Sequence, residues 1–157
     1  MSQPSLIQNT FVVERSYPVP PERVFAAFAD PAVKRRWFGE RDHHVVEQFE
    51  VDFRPGGTER FRYRFKEGTL FPGVAIRSEG TYHEIVPNQR MVTTSAMYFA
   101  NKMISVALLT IELLPTDAGT DLVCTHQAVF FEGADGPEMR EAGWRSLFDS
   151  LEKELAR

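Results

Sequence analysis

The chain has 157 residues, of which 43% are hydrophobic and 25% are charged, and its formal net charge at pH 7 is −4. These values are typical of a globular protein and predict one domain over residues 1–157. The acidic balance argues against nucleic acid as the main partner, and no apolar stretch approaches the roughly 18 residues of a membrane span.

Two features of the sequence bear on location. Cys124 is the only cysteine, which excludes an intramolecular disulfide and favours a reducing environment. Residues 1–20 lack a basic region followed by an apolar run, so no signal peptide is expected. We therefore predict a cytoplasmic protein.

The first forty residues predict a strand and two short helices. Residues 6–17 have an apolar centre, and Pro18 ends this strand. In the segment PVPPERVFAAFADP, the prolines suit the first turn of a helix, and Val24, Phe25 and Phe28 would share one face. The closing DP breaks that helix and can cap a second one, AVKRRWFG.

Residues 44–131 predict six further strands joined by short turns. Their sequences are VVEQFEVDF, TERFRYRFK, GVAIRSEGTYHEIV, MVTTSAMYF, MISVALLTIELL and TDLVCTHQAVFF. Gly80 indicates a bulge in the third of them. No segment between the strands is long enough for a parallel crossover, so consecutive hairpins predict an antiparallel sheet.

The chain ends in a predicted amphipathic helix. Its apolar stripe consists of Trp144, Leu147, Phe148, Leu151 and Leu155. Asp135 and Glu138 resemble a capping box, with Pro137 in the first turn. Gly143 is unexpected, because a glycine inside a helix costs about 1 kcal/mol relative to alanine. The glycine either permits a close backbone approach or leaves room for a ligand.

Strands and helices are segregated along the chain, which predicts an α+β fold. We expect a curved sheet of seven antiparallel strands, two short helices after the first strand, and a long C-terminal helix. The helix would lay its apolar stripe across the concave face of the sheet. Sheet and helix could then enclose a cavity instead of a solid core.

Several segments support this arrangement. They are YPVPPERVFAAFADP (17–31), RWFG (36–39), FRPGGT (53–58), EGTYHEIVPNQRMV (79–92), GTDLVCTH (119–126) and GWRSLFDSL (143–151). Together they resemble the START-like, or helix-grip (SRPBCC), superfamily, and more narrowly the branch related to the activator of the heat-shock-protein-90 ATPase. The resemblance implies a deep, mostly apolar pocket between the sheet and the last helix, and a domain of this size resembles bacterial members.

Strand alternation and the helical stripe predict the residues that line this pocket. They are Trp37 and Phe38 at its mouth, Phe61, Tyr63 and Phe65 opposite an outward arginine face, Tyr82 and Glu84, Cys124 and His126, and Gly143, Trp144 and Leu147. On the strand at 91–99, an inward face of Met91, Thr93, Ser95 and Met97 is one of two alternatives, because a one-residue register change exchanges the faces. The sequence likewise does not decide which face of the strand at 103–114 points inward.

The candidates for chemistry are few. His126, Glu84 and Tyr82 could converge as general acid and base inside an apolar site. The alternatives are that His126 is a structural core residue and that Glu84 bonds a neighbour or faces solvent. No recognised metal spacing or phosphate-binding loop is present, so we predict neither a metal nor a cofactor and assign no catalytic residue.

Three functions follow from these features. The first is binding of a small hydrophobic or amphipathic ligand in the pocket. The second is an enzyme acting on a hydrophobic ring substrate, as a cyclase or hydrolase would. The third is a domain that stimulates a chaperone ATPase, which the resemblance suggests. An unpaired edge strand of the sheet would also allow a homodimer to form.

Overall fold

The computed structural model describes residues 6–157, so the first five residues of the predicted domain lie outside it. The strands are β1 (Leu6–Tyr17), β2 (His44–Val51), β3 (Thr58–Phe65), β4 (Ala75–Val86), β5 (Arg90–Phe99), β6 (Lys102–Thr116) and β7 (Gly119–Phe131). They form one antiparallel sheet in the order β1-β7-β6-β5-β4-β3-β2. The predicted seven-stranded α+β fold is confirmed, and β1 and β2 are the edge strands.

The helices are α1 (Pro21–Ala29), α2 (Pro31–Lys34) and α3 (Pro137–Leu155). The predicted second helix does not stay α-helical to its end. After α2 the backbone widens into a π-helical turn, Arg35–Gly39, which is closed by a 2.8 Å bond from the Glu40 amide to the Arg35 carbonyl. Among the described residues, no helix is long and apolar enough to span a membrane.

The hydrophobic core lies at one end of the concave face, where α1 and the C-terminal half of α3 cover β1 and β7. Its fully buried members include Val13, Val24, Leu122, Cys124, Phe148 and Leu151. Tyr17 supports this packing from the sheet, because its hydroxyl donates a 3.0 Å hydrogen bond to the Phe148 carbonyl. The C-terminal half of α3 is therefore fixed to β1.

The start of α3 differs from the prediction. Gly136, at φ 89°, is the N-cap residue, and no side chain caps the helix there. The predicted capping box is therefore absent. Asp135 instead accepts two 2.8 Å hydrogen bonds from the Arg140 guanidinium. A bidentate bond to a nearly buried arginine competes successfully with the backbone amides, because charge-assisted bonds are the stronger ones.

The bulge in β4 also differs from the prediction. Gly80 pairs regularly with Ser95, whereas the register shifts between Tyr82 and Glu84. His83 is the extra residue. One added residue exchanges the two faces of a strand, so the side chains that follow it point opposite to the simple alternation.

Gly143 lies in the N-terminal half of α3, and a Cβ built on it would meet no atom within 4 Å apart from its chain neighbours and the helix backbone. Of the two alternatives, close backbone approach is therefore wrong. The glycine leaves open space beside the helix.

We predict that Gly143→Ala raises the free energy of unfolding by roughly 0.5–1 kcal/mol, because it removes the helix penalty of glycine without a clash. Urea denaturation measures the change. The contrasting variant is Gly57→Ala, whose Cβ would collide with the Asp52 carbonyl oxygen and is expected to destabilise the protein. A loss of stability in Gly143→Ala would show that the helix backbone is in close contact after all.

Candidate functional site

A cavity of about 320 Å³ lies between the concave face of the sheet and α3. Its wall is mostly apolar. His43, Asp135, Met139 and Gly143 line it and are exposed. The cavity therefore opens to solvent between the loop before β2 and the N-terminal half of α3, and we call this opening the entrance.

The base of the cavity is made of small residues on neighbouring strands, which we call the floor: Ser78, Gly80, Thr93, Ser95 and Ala107. Gly80, Ser95 and Ala107 are consecutive cross-strand partners in β4, β5 and β6. Larger side chains at these positions would fill the space beneath α3. Small side chains in one cross-strand row are thus the direct reason that a cavity exists here.

Most of the predicted lining residues are in the cavity wall. They are Phe38, Phe61, Tyr63, Tyr82, His126, Gly143, Trp144 and Leu147. Met91, Thr93, Ser95 and Met97 also line it, which settles the face of β5, and Ala107, Leu109 and Ile111 settle that of β6. The inward faces of β5 and β6, which the sequence left open, are thus given by the structure, whereas Phe61 and Tyr63 of β3 and His126 of β7 face inward as their alternation predicts.

Three of the predicted lining residues, Trp37, Cys124 and Phe65, lie outside the cavity wall. Trp37 is buried in the core, where its indole N–H donates a 2.8 Å bond to the Ala27 carbonyl. Cys124 is also in the core, and burial raises the pKa of its thiol to about 12. Phe65, at the end of β3, packs against His43 and Phe71.

The predicted inward position of Glu84 is wrong. The bulge at His83 turns Glu84 to the exposed outer face, where it pairs with Arg90 at 2.5 Å. Hydrogen bonds from Arg90 lower the pKa of this carboxyl. The acid–base group of Glu84, His126 and Tyr82 is therefore not assembled in the cavity.

One buried ion pair in the wall was not predicted. Lys34 Nζ lies 2.7 Å from Glu59 Oε1, and the Tyr82 hydroxyl donates a 3.2 Å bond to the other carboxylate oxygen. The Lys34 ammonium also lies 4.7 Å from the centre of the Phe38 ring. Burial, and then Glu59, raises the pKa of Tyr82, so this phenol stays protonated. The alternation of TERFRYRF contains the signal, since it puts Glu59 in phase with Phe61.

A second ion pair, between a buried arginine and an exposed aspartate, lies near the entrance. Arg140 bonds Asp135 through two nitrogens and donates a further 3.0 Å bond to the Ser105 hydroxyl. Its guanidinium lies 5.0 Å from the Phe130 ring. Arg140 lies one helical turn before Trp144, on the side of the apolar stripe, and it is buried against Ser105 of β6.

Two buried histidines in the wall are neutral at pH 7. Burial, and then the charge of Arg140, lowers the pKa of His126 to about 4. Burial also lowers the pKa of His44, whose Nε2 lies 2.7 Å from the Gly39 carbonyl and therefore carries the proton. His126 stacks on Phe11, and the Nδ1 atoms of both histidines are buried without a hydrogen-bond partner. The histidines thus behave as largely apolar parts of the wall.

Arg41 borders the entrance and joins the loop before β2 to α3. Its guanidinium donates hydrogen bonds to the hydroxyls of Ser146 and Ser150, one turn apart on the helix. Arg41 and Ser146 both line the cavity and are half-buried. The sequence offered no signal for this contact, which joins residues more than 100 positions apart.

The site resembles no metal centre. Across residues 6–157, no three His, Cys, Asp or Glu side chains are grouped so that they could hold a metal ion. The arrangement is instead a partly enclosed apolar space with two compensated ion pairs in its wall. Such a space can hold an apolar body and offer a few polar contacts.

Solved structures of bacterial proteins share this architecture. An uncharacterized protein from Rhizobium leguminosarum is 33% identical over 99% of each chain, with a TM-score of 0.91. A protein from Rhizobium loti is 41% identical over 96% of this chain and 99% of its own, with a TM-score of 0.84. An AHSA1-like protein from Aeromonas hydrophila is 18% identical over 94% of this chain and 92% of its own, with a TM-score of 0.68, and shares the fold.

The family comparison agrees with the structural one. No curated protein matches the chain. The family model described as Activator of Hsp90 ATPase homolog 1-like protein matches residues 18–156, which is nearly the whole sequence. The chain therefore belongs to the Activator of Hsp90 ATPase homolog 1-like family and has its helix-grip fold.

Proposed function

We propose that this protein binds a small hydrophobic or amphipathic molecule in the cavity between the sheet and α3. The observation that carries the proposal is the cavity itself, about 320 Å³ of space above a floor of small residues. Natural interiors are close-packed, and empty apolar space of this size destabilises a protein. An apolar ligand would recover that energy by filling the space.

The state of the polar wall groups supports the same conclusion. Lys34 and Arg140 are each paired with a carboxylate, and His126 and His44 are uncharged at pH 7. An apolar body in the cavity would therefore leave no unpaired charge on these four groups. Phe38, Phe61 and Trp144 offer aromatic contact to it.

The two alternative functions have less support. The enzyme hypothesis needed Glu84 beside His126 and Tyr82, and Glu84 is on the outer face. The chaperone hypothesis rests on the description of the family alone. A cytoplasmic location and a homodimer through an edge strand stay predictions.

We predict that Ser95→Leu weakens ligand binding at least tenfold while raising the free energy of unfolding by roughly 1 kcal/mol. The leucine would occupy the floor beside Gly80 and bury apolar groups, at about 0.8 kcal/mol per CH₂. Binding is measured with the neutral fluorophore N-phenyl-1-naphthylamine, and stability by urea denaturation.

The matched control is Thr94→Leu, one residue away on the outer face of the same strand, where the threonine hydroxyl contacts His83. It should leave binding unchanged. Equal binding by wild type and Ser95→Leu, or a lower stability of Ser95→Leu, would mean that the space is not an available cavity.

We also predict that the free energy of unfolding falls as the pH drops from about 6.5 to about 4, and that His126→Phe reduces this fall. The pKa of His126 is lowered to about 4 in the folded protein, so between these values the unfolded state binds more protons than the folded state. The contribution of His126 to the free energy of unfolding is therefore complete above about pH 6.5 and is lost as the pH falls towards about 4. The contribution of His126 is roughly 3 kcal/mol at 1.36 kcal/mol per pKa unit.

Urea denaturation of both proteins across this pH range measures the difference, with the values at pH 7.5 as the reference. Phenylalanine suits the site because His126 stacks between Phe11 and Phe130. Parallel pH curves for wild type and His126→Phe would show that this histidine is not kept neutral by burial.

A further inference from the structure

We propose that the ligand is an amphipathic anion, an apolar body ending in a carboxylate, and that Arg41 binds the carboxylate at the entrance. This inference rests on the proposed function. It follows from the charge balance of the cavity wall, the hydrogen bonds of Arg41 and its position where the cavity opens.

The wall contains three basic side chains that are charged at neutral pH: Lys34, Arg41 and Arg140. Lys34 is paired with Glu59 at 2.7 Å, and Arg140 with Asp135 at 2.8 Å. Within residues 6–157, no carboxylate oxygen lies within 4.0 Å of the Arg41 guanidinium, whose side-chain partners are serine hydroxyls. Arg41 therefore carries the one positive charge of this wall that lacks an ion-pair partner.

The hydrogen bonds of Arg41 leave part of its guanidinium available. A guanidinium has five N–H donors in a fixed plane. Arg41 uses one on Ser146 and one on Ser150, and these two bonds fix the group against α3. The three remaining donors are enough for a carboxylate, which accepts two parallel bonds from an arginine.

The position of Arg41 explains why a carboxylate would be favoured there. The side chain is half-buried and borders the entrance, while the floor of small residues lies on the sheet, at Gly80 and Ser95. Removing a charge from water without pairing it is unfavourable, and a carboxylate would compensate Arg41. The apolar body of the same molecule would then extend over the floor. Asp42, the next residue, is exposed and forms no ion pair with Arg41 within 4.0 Å.

The volume sets the size of the apolar body. At about 30 Å³ for each water-sized group, 320 Å³ holds about ten such groups. Decanoate and 1-decanol are therefore suitable probes, because they share one chain and differ in the charge of the head group.

The test is isothermal titration calorimetry of the full chain with decanoate and with 1-decanol at neutral pH and low salt. We expect wild type to bind decanoate about tenfold or more tightly than 1-decanol, as charge-assisted hydrogen bonds predict. Arg41→Gln should abolish this preference, measured as the ratio of the two affinities in the same variant. Arg41→Lys keeps the charge and should keep a preference for decanoate.

The matched control is Arg35→Gln. Arg35 is an exposed arginine of the π-helical turn that pairs with Glu40, outside the cavity wall. This variant changes the net charge by the same amount and should keep the full preference. Thermal melting of each variant verifies that it is folded.

The outcomes separate the two proposals. Equal affinity of wild type for both probes, or a preference that survives in Arg41→Gln, would overturn the role of Arg41 and leave ligand binding in the cavity standing. Loss of the preference in Arg35→Gln as well would mean that overall charge, and not Arg41, recognises the anion. Binding of neither probe would overturn both proposals.

Discussion

The attachment of α3 on both sides of Gly143, and not at Gly143 itself, is the constraint on which the structure depends. At the C-terminal end, Phe148 and Leu151 are fully buried, and the Tyr17 hydroxyl bonds the Phe148 carbonyl. At the N-terminal end, Arg140 bonds the Ser105 hydroxyl of β6. Between these attachments the helix lines the cavity at Gly143, where an added Cβ would meet no atom within 4 Å apart from its chain neighbours and the helix backbone.

Because α3 is held away from the sheet near Gly143, the size of the side chains on the sheet beneath it decides whether the space between helix and sheet is filled. Gly80, Ser95 and Ala107 are too small to reach α3, whereas the core residues on β1 and β7 pack directly against it. The same sheet and helix thus form a solid core at one end and a cavity at the other. The C-terminal half of α3 therefore contributes to stability through the core, and its N-terminal half lines the cavity.

The sequence predicted what depends on periodicity. The alternation of β3 correctly turned Phe61 and Tyr63 inward, and helical spacing correctly turned Trp144 and Leu147 to the sheet. Prediction from periodicity failed where the backbone contains one extra residue. The bulge at His83 turns Glu84 to the opposite face of β4. Trp37, which lies in the π-helical turn, is buried in the core. Long-range polar contacts, such as Arg41 with Ser146, depend on the packing of distant segments and had no local pattern to indicate them.

The most direct test of an open space beneath α3 at Gly143 is a crystal structure determined under xenon pressure. Xenon occupies empty apolar cavities without needing a polar contact. We predict xenon density between the floor residue Ser95 and Gly143 of α3, with the side chains around it unmoved. Side chains packed solidly across this space, with no xenon density, would show that no open cavity lies beneath the helix.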